Sequence, residues 1–292
     1  MKHCAILTMD SLENFEAYDH LLEQPLKALG WQTHMVSLRD QGVNWDDYQV
    51  VIIRTPWDYQ DDAPLFLQVL AKIEASKAVL ENSLDIVRWN IDKSYLKQLE
   101  AKGVSIVPTL WPEAFDYDDV QAAFSHFTCE KIVLKPRISA NADNTFLLTR
   151  EQVEARQVLL AETFASRAFM VQPFMENICS EGEYSCFYFD GQYSHSILKT
   201  PKDQDFRVQE EHGGRLTSID AEEKLLEQAT IALKAINELP LYARVDFVRH
   251  GQGFALMEAE LIEPSLYFNM DNQSAERFAK AFAERMARLH QL

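Results

Sequence analysis

The sequence predicts an α/β protein whose C-terminal part turns α+β, and three patterns predict it. Residues 1–90 alternate short apolar runs with amphipathic stretches, the rhythm of βαβ units on a small parallel sheet. Asp190-Gly191 separates two alternating runs, a strong signal for a two-residue hairpin. A second pair of strand-like runs, residues 242–249 and 254–262, flanks His250-Gly251-Gln252-Gly253.

The elements follow in order. Residues 3–8 read as a first buried strand, 16–29 as a helix stopped by Gly30, and 31–38 as a second strand. Residues 49–54 (QVVIIR) form a third strand, 63–75 a helix and 78–80 a short strand. No G-x-G-x-x-G follows the first strand, so no dinucleotide site is expected there. Residues 90–102 read as one helix with Asn90 as N-cap and Gly103 as its stop, followed by a short strand at 104–107. A helix at 118–127, strands at 131–136 and 146–148, and a helix at 150–163 come next. Strands at 169–174, 183–189 and 192–199, a helix at 221–237, the hairpin at 242–262 and an amphipathic helix at 274–290 complete the chain.

Composition narrows the function. The 292 residues suffice for two or three lobes, and the 47% hydrophobic content supports a real core. Lys plus Arg total 28 against 45 Asp plus Glu, a net charge of −17 that disfavours nucleic acid and anionic membranes as partners. Cys4, Cys129, Cys179 and Cys186 make no C-x-x-C pair and no zinc spacing, as expected of thiols in a reducing compartment. No signal peptide or membrane-length apolar run is visible, so a soluble cytoplasmic protein is expected.

The most informative segment is the hairpin at residues 242–264. Glu258 and Glu260 are two apart and share one face of their strand, as do Arg244 and Asp246 on the other. A loop centred on Gln252 sets Asp246 opposite Glu258 and Arg244 opposite Glu260; a one-residue slip sets Asp246 opposite Met257 instead. The first register gathers three carboxylates, and like charges facing across strands call for a cation. All-oxygen ligation suits Mg²⁺. On spacing alone an exposed acidic face fits equally well.

Other residues carry weaker signals. Lys135 ends an apolar strand before Pro136, where an ammonium can hold a phosphate. Lys93 falls in a helix's first turn, against the helix dipole, which hints at an anionic partner. The small polar loop from Ser139 to Thr145 offers backbone N–H groups but contains no glycine. Arg207 lies in a polar stretch ending in Gly213-Gly214, a setting suited to stabilising a transferring phosphoryl group. Taken alone, each of these reads better as ordinary solvated surface or loop.

Their order says more than any one of them. Lys93, Lys135-Pro136, the polar loop, VQPF, GEYS, Asp205-Phe206-Arg207 with Gly213-Gly214, Val245-Asp246 and Met257-Glu258-Ala259-Glu260 together resemble the ATP-grasp superfamily over residues 90–265. Residues 1–89 resemble the Rossmann-like substrate domain that precedes it. The resemblance is strongest to glutathione-synthetase-like and ribosomal-protein glutamate-ligase-like members. RTPWDY, GEYSCFYFDGQYSHSILK, DFRVQEEHGG and ELIEPSL are similar to the subgroup containing the ligase that closes the D-cycloserine ring.

The resemblance implies a two-lobed ATP-grasp fold, with a small lobe over 90–168 and a large lobe carrying the metal site over 169–292. Lys93, Lys135 and Ser139 would meet the ATP phosphates, and Gln172, Phe174 and Met175 the adenine, Lys135 also lying near it. Glu183 would hold the ribose, with Glu176 as the competing candidate. Asp246, Glu258 and Glu260 would bind one or two Mg²⁺ ions, with Mn²⁺ as a substitute. Arg207, Lys199 and Arg244 would be the catalytic cations, and Arg54, Trp57 and Ser265 would face the substrate.

Three departures stand out. The phosphate loop is SANADNT, Glu260 stands where Asn is usual, and Ile262-Glu263-Pro264-Ser265 replaces a Ser-Pro-Gly that shapes the acceptor site. The implied activity is ADP-forming ligation of a carboxylate to an amine on a small amino-acid-like or peptide substrate; a homodimer is the assembly to expect, dimers being the commonest. A nucleotide-binding sensor or partner subunit and a small-molecule kinase are the competing readings.

Overall fold

The structure is a computed structural model that describes residues 1–13, 15–139, 143–203 and 205–289. Its strands fall into three sheets. The first contains β1 (Lys2–Thr8), β2 (Trp31–Ser37), β3 (Val50–Thr55) and β4 (Val79–Glu81) in the order β2-β1-β3-β4, all parallel. Helices α1 (Glu23–Ala28), α2 (Ala63–Glu74) and α3 (Leu84–Asn90) connect or follow its strands. Asp62 caps α2 by accepting the Leu65 N–H, and Pro64 sits in the first turn, where its missing N–H costs nothing.

Both faces of this sheet are apolar, as buried parallel strands require. Ala5, Leu7, Val51 and Ile53 pack on one side with Phe66, Leu70 and Ile73 of α2. Cys4, Ile6, Val50 and Ile52 share the opposite core with Phe278 and Phe282. Those phenylalanines belong to the terminal helix, described below.

The second unit follows α4 (Tyr95–Ala101). It contains α5 (Tyr117–Phe127), α6 (Arg150–Ala155), α7 (Gln157–Phe164) and an antiparallel sheet of β5 (Ile132–Pro136), β6 (Phe146–Leu148) and β7 (Phe169–Pro173), in the order β6-β5-β7. Its core gathers Phe124, Ile132, Leu134, Leu160, Phe164 and Phe169.

The third unit holds the short α8 (Asn177–Ser180), then β8 (Glu183–Phe189), β9 (Gln192–Thr200), β10 (Arg215–Ile219), α9 (Glu223–Ala235), β11 (Tyr242–His250), β12 (Gly253–Glu260) and α10 (Ser274–Leu289). Its antiparallel sheet runs β10-β9-β8-β11-β12. One face packs on α4 and α9 through Cys186, Tyr188, Val245 and Leu256. The other face is apolar at one end, where Phe187, Phe189 and Tyr242 meet α10, and charged at the other, where Glu183, Arg244 and Asp246 lie.

Several expectations are corrected. Residues 90–102 are not one helix. Asn90 ends α3, because its amide donates to the Ala259 carbonyl (2.8 Å) and accepts from the Leu261 N–H (3.0 Å). Lys93 therefore lies in the break before α4, not in a helix's first turn. Residues 104–107 form no strand beyond an isolated bridge from Ile106 to Leu256. The helix at 150–163 breaks at Arg156, the stretch at 16–29 is helical only from a 3-10 turn at Asp19–Leu22 onward, and β10 and α8 were not expected. Among the described residues no helix is long and apolar enough to cross a membrane.

Candidate active site

The β11–β12 hairpin sets the chemistry. Arg244 pairs with Glu260 and Asp246 with Glu258, as expected, but by a different route. The turn is the two residues Gly251-Gln252, because His250 pairs with Gly253. That turn alone would set Asp246 opposite Met257. A bulge at Met257 absorbs one residue and restores the acidic register. It also lets Met257 and Glu258, adjacent in sequence, both line one cavity.

That cavity lies between the charged end of the five-stranded sheet and the three-stranded sheet, with Trp57 and Tyr59 from beyond β3 closing one side. One end is apolar, formed by Val107, Val133, Phe174, Ile178, Phe206 and Met257. The other end is strongly charged. Eight acids (Glu16, Glu183, Glu210, Glu211, Asp246, Glu258, Glu260, Glu263) line it against five bases (Lys93, Lys135, Lys199, Arg207, Arg244), so it holds surplus negative charge.

The pairs interlock. The Lys93 ammonium lies 3.1 Å from Glu258 and donates to the Ser139 carbonyl at 2.7 Å. Lys199, cross-strand from Glu183, bonds to it and lies 3.6 Å from Asp246. Arg244 donates to both oxygens of Asp246 at 3.1 Å, to Glu260, and to the Ser265 carbonyl at 3.2 Å. Ser185 donates to Asp246 at 2.5 Å. Arg207 is steadied by Asp205, 2.9 Å away, and is more than a third exposed.

Electrostatics follow from burial. Burial alone would depress the Lys199 ammonium, but Asp246 and Glu183 outweigh it and hold it above the usual range. Burial lowers Lys135, with Glu258 opposing and Lys93 reinforcing the shift. Burial raises Glu260 to about 7; Arg244 opposes this, while Asp246 and Glu258 add to it. Burial and the neighbouring Glu260 carry Glu263 to about 8.

The oxygen donors and the crowding at Glu260 fit a divalent cation. Among the described residues, however, no three His, Cys, Asp or Glu side chains form a ready metal cage. Arg244 bonds to both Asp246 and Glu260, and Lys93 bonds to Glu258. A Mg²⁺ site needs no complete protein cage, because the ion retains waters and takes phosphate oxygens as ligands.

Of the residues singled out from sequence, the cavity gathers Lys93, Lys135, Ser139, Gln172, Phe174, Met175, Glu183, Lys199, Arg207, Arg244, Asp246, Glu258, Glu260, Trp57 and Ser265. Two lie elsewhere. Arg54 is fully buried behind the wall, bonded to Asp19 at 2.5 Å and stacked over Tyr242, so it does not face the cavity. Glu176 is exposed and paired with Lys131 at 3.1 Å. Glu183 is thus the ribose candidate within the cavity, although its carboxylate is bonded to Lys199. The Phe174 N–H already donates to the Lys131 carbonyl at 2.9 Å, which removes it as a ligand contact. The centre of the polar loop, residues 140–142, lies outside the described residues.

Sequence reasoning missed Tyr59, Val133, Ile178, Phe206, Met257, Glu263 and Tyr267 as lining residues. Only the bulge would have exposed Met257, and a bulge leaves no reliable mark in a single sequence.

A cleft between an antiparallel lobe and a charged sheet, with lysines facing carboxylates beside an apolar slot, defines an ATP-dependent ligase of the ATP-grasp type. The chain belongs to the RimK-like ATP-grasp family, whose model matches residues 92–270. Residues 4–82 match the N-terminal domain of the D-cycloserine synthetase DcsG. The cycloserine biosynthesis protein DcsG of Streptomyces lavendulae is 28% identical over 279 residues, covering 91% of this chain and 92% of that protein. The crystal structure of D-cycloserine synthetase DcsG superposes with a TM-score of 0.87 at 28% identity, covering 97% of this chain and 99% of the other. D-alanine–D-alanine ligase from Bacillus anthracis shares the fold, with a TM-score of 0.70 at 13% identity over 100% and 99% of the two chains. The protein is therefore an ADP-forming carboxylate–amine ligase of this family, as the sequence implied.

Proposed function

We propose that this ligase joins the carboxylate of a small amino-acid-like substrate to an amine, using ATP and Mg²⁺. The relatives named for D-cycloserine and D-alanine–D-alanine support a substrate of that size. The observation that carries the reading is one cavity in which Lys93, Lys135, Lys199 and Arg207 stand among Asp246, Glu258 and Glu260 beside an apolar slot.

In this reading Val133, Phe174, Ile178 and Met257 enclose the adenine, and Lys93 and Lys135 take the phosphates as point charges. Asp246, Glu258 and Glu260 would hold one or two Mg²⁺ ions, or Mn²⁺, with phosphate oxygens, and the ion would neutralise charge on the transferring group. A substrate carboxylate oxygen attacks the γ-phosphorus, the bond to ADP breaks, and an acyl phosphate forms. Arg207 and Lys199 supply positive charge around that phosphoryl group. The amine nitrogen then attacks the acyl carbon, the carbon–oxygen bond breaks, phosphate leaves, and the nitrogen loses its proton. Enclosure by Trp57, Tyr59 and Tyr267 shields the acyl phosphate from water.

A coupled ADP-release screen of amino acids, dipeptides and amines tests the proposal. Release of ADP and phosphate that needs both Mg²⁺ and an amine is expected. ADP with a stable phosphorylated product would make the protein a kinase, and nucleotide binding without turnover a sensor.

A further inference from the structure

The segment that follows β12, residues 261–267, belongs to no sheet, yet its backbone is fixed by side chains. Six consecutive carbonyls each lie within hydrogen-bond distance of a different buried donor. Asn82 donates to Leu261 (2.7 Å) and Trp57 Nε1 to Glu263 (2.8 Å), while the single Tyr242 hydroxyl proton is shared between Ile262 (2.9 Å) and the nearer Ile53 carbonyl (2.5 Å). Arg54 donates to Pro264 (2.7 Å), Arg244 to Ser265 (3.2 Å) and His195 Nε2 to Leu266 (3.2 Å). All six donor residues are less than a tenth exposed. A buried carbonyl left unpaired is costly, so each donor ties the segment to one register.

The consequence lies on the opposite side of the segment. Glu263, Ser265 and Tyr267 alternate along it and all three line the cavity. Among the described residues no lysine or arginine forms an ion pair with the Glu263 carboxylate, whereas Glu258, Glu260 and Asp246 all have one. The charges that reach Glu263 are those of Glu260 and Glu258, opposed by Lys93 and Arg244, which are themselves paired with Glu258, Asp246 and Glu260; the rings of Trp57, Tyr59 and Tyr267 line the same cavity. Such a wall attracts a cation and repels a second carboxylate.

We propose that Glu263 is the specificity-determining carboxylate of the site, taking an ammonium group of the substrate, and that Arg54 and His195 are positioning residues that hold it there through the backbone. The inference rests on the ligase reading above: the substrate's carboxylate faces the phosphate-binding cations while its ammonium faces Glu263. Arg54 thus bears on the substrate through Pro264, without touching it.

Binding, measured without turnover, tests this apart from the ligase reading. Alanine and lactate, each in both enantiomers, differ only in an ammonium or a hydroxyl on the α-carbon. They are titrated by calorimetry into the Mg²⁺·AMP-PNP complex of the full chain. The wild type is expected to bind one alanine enantiomer at least tenfold tighter than the matching lactate. Glu263→Gln should erase that ratio while keeping AMP-PNP affinity within twofold, which also reports an intact fold. His195→Leu should reduce the ratio, and His195→Gln, which keeps an N–H donor, should retain it. Equal binding or no binding of the two probes by the wild type, an unchanged ratio in Glu263→Gln, or loss of AMP-PNP affinity in that variant would overturn the proposal. Failure of the ADP-release screen alone would instead refute the ligation mechanism.

Discussion

Glu258 meets Lys93 at 3.1 Å and lies directly across from Asp246, so in the proposed reading its charge serves both the cation site and a lysine that takes the phosphates. Glu258→Gln keeps the shape and removes the charge. ADP release should fall by about 100-fold or more, because loss of a metal-facing carboxylate removes stabilisation in the transition state. The unfolding temperature, read by calorimetry, should move by only a few degrees. His195 gives a second residue-scale prediction. A carbonyl can only accept, so Nε2 carries the proton toward Leu266, and Nδ1 accepts from the Ser194 hydroxyl at 2.9 Å. Burial holds the imidazole down at about 4; Asp271 and the Leu266 bond pull it upward and Arg277 pushes it further down. The fold therefore keeps this ring neutral while the unfolded chain protonates it. Stability should fall as pH drops from about 6.5 to about 4, by roughly 3 kcal/mol at most. Glu260 and Glu263, raised in the fold, contribute the opposite slope, so the difference between wild type and His195→Gln in denaturant midpoints isolates the histidine.

Among the elements, β12 carries the most function for its length. Its bulge turns Met257 toward the apolar slot and Glu258 toward the charges, so one short strand borders both ends of the cavity. Met257 packs with Val107, Ile178, Val248 and Ala255. Met257→Ala should raise the KM for ATP roughly tenfold, equivalent to about 1.4 kcal/mol of lost contact. The kcat should change far less, because the slot lies away from the transferring phosphoryl group. Initial rates across ATP concentrations check both values. The break between α3 and α4 belongs to the same scale. Asn90 grips the end of β12, and the chain then turns, which delivers Lys93 to Glu258.

In the whole molecule, α10 locks the first sheet to the third unit. Phe278 and Phe282 fill the core shared by β1, β3, β8 and β11, and Trp31 meets Phe282 edge-on at 4.8 Å. Arg285 joins Glu81 of β4 at 2.5 Å and Asp190 of the β8–β9 turn at 3.1 Å. Phe282→Ala should cost about 3–5 kcal/mol and lower the unfolding temperature in a single transition, because the cavity opens in a core common to both units. Separate transitions in calorimetry would show that the units are not coupled through α10.

The sequence by itself determined the parallel sheet, the two hairpins, the terminal helix and the family, because apolar periodicity, Asp-Gly and the order of charged positions are local signals. The family resemblance also grouped Lys93, Lys135, Asp246, Glu258 and Glu260, and one cavity gathers all five. The sequence misread the continuity of residues 90–102, because the break depends on Asn90 finding carbonyl and amide partners some 170 residues away. It placed Arg54 against the substrate, because a charged strand end looks the same whether it points into a cleft or into Asp19. Only the tertiary structure decided the bulge, the wall formed by residues 261–267 and its donors, since those bonds join residues from Arg54 to Arg244 that share no local pattern. A side chain's partner is a property of the fold, and non-local contacts leave no period for one sequence to reveal.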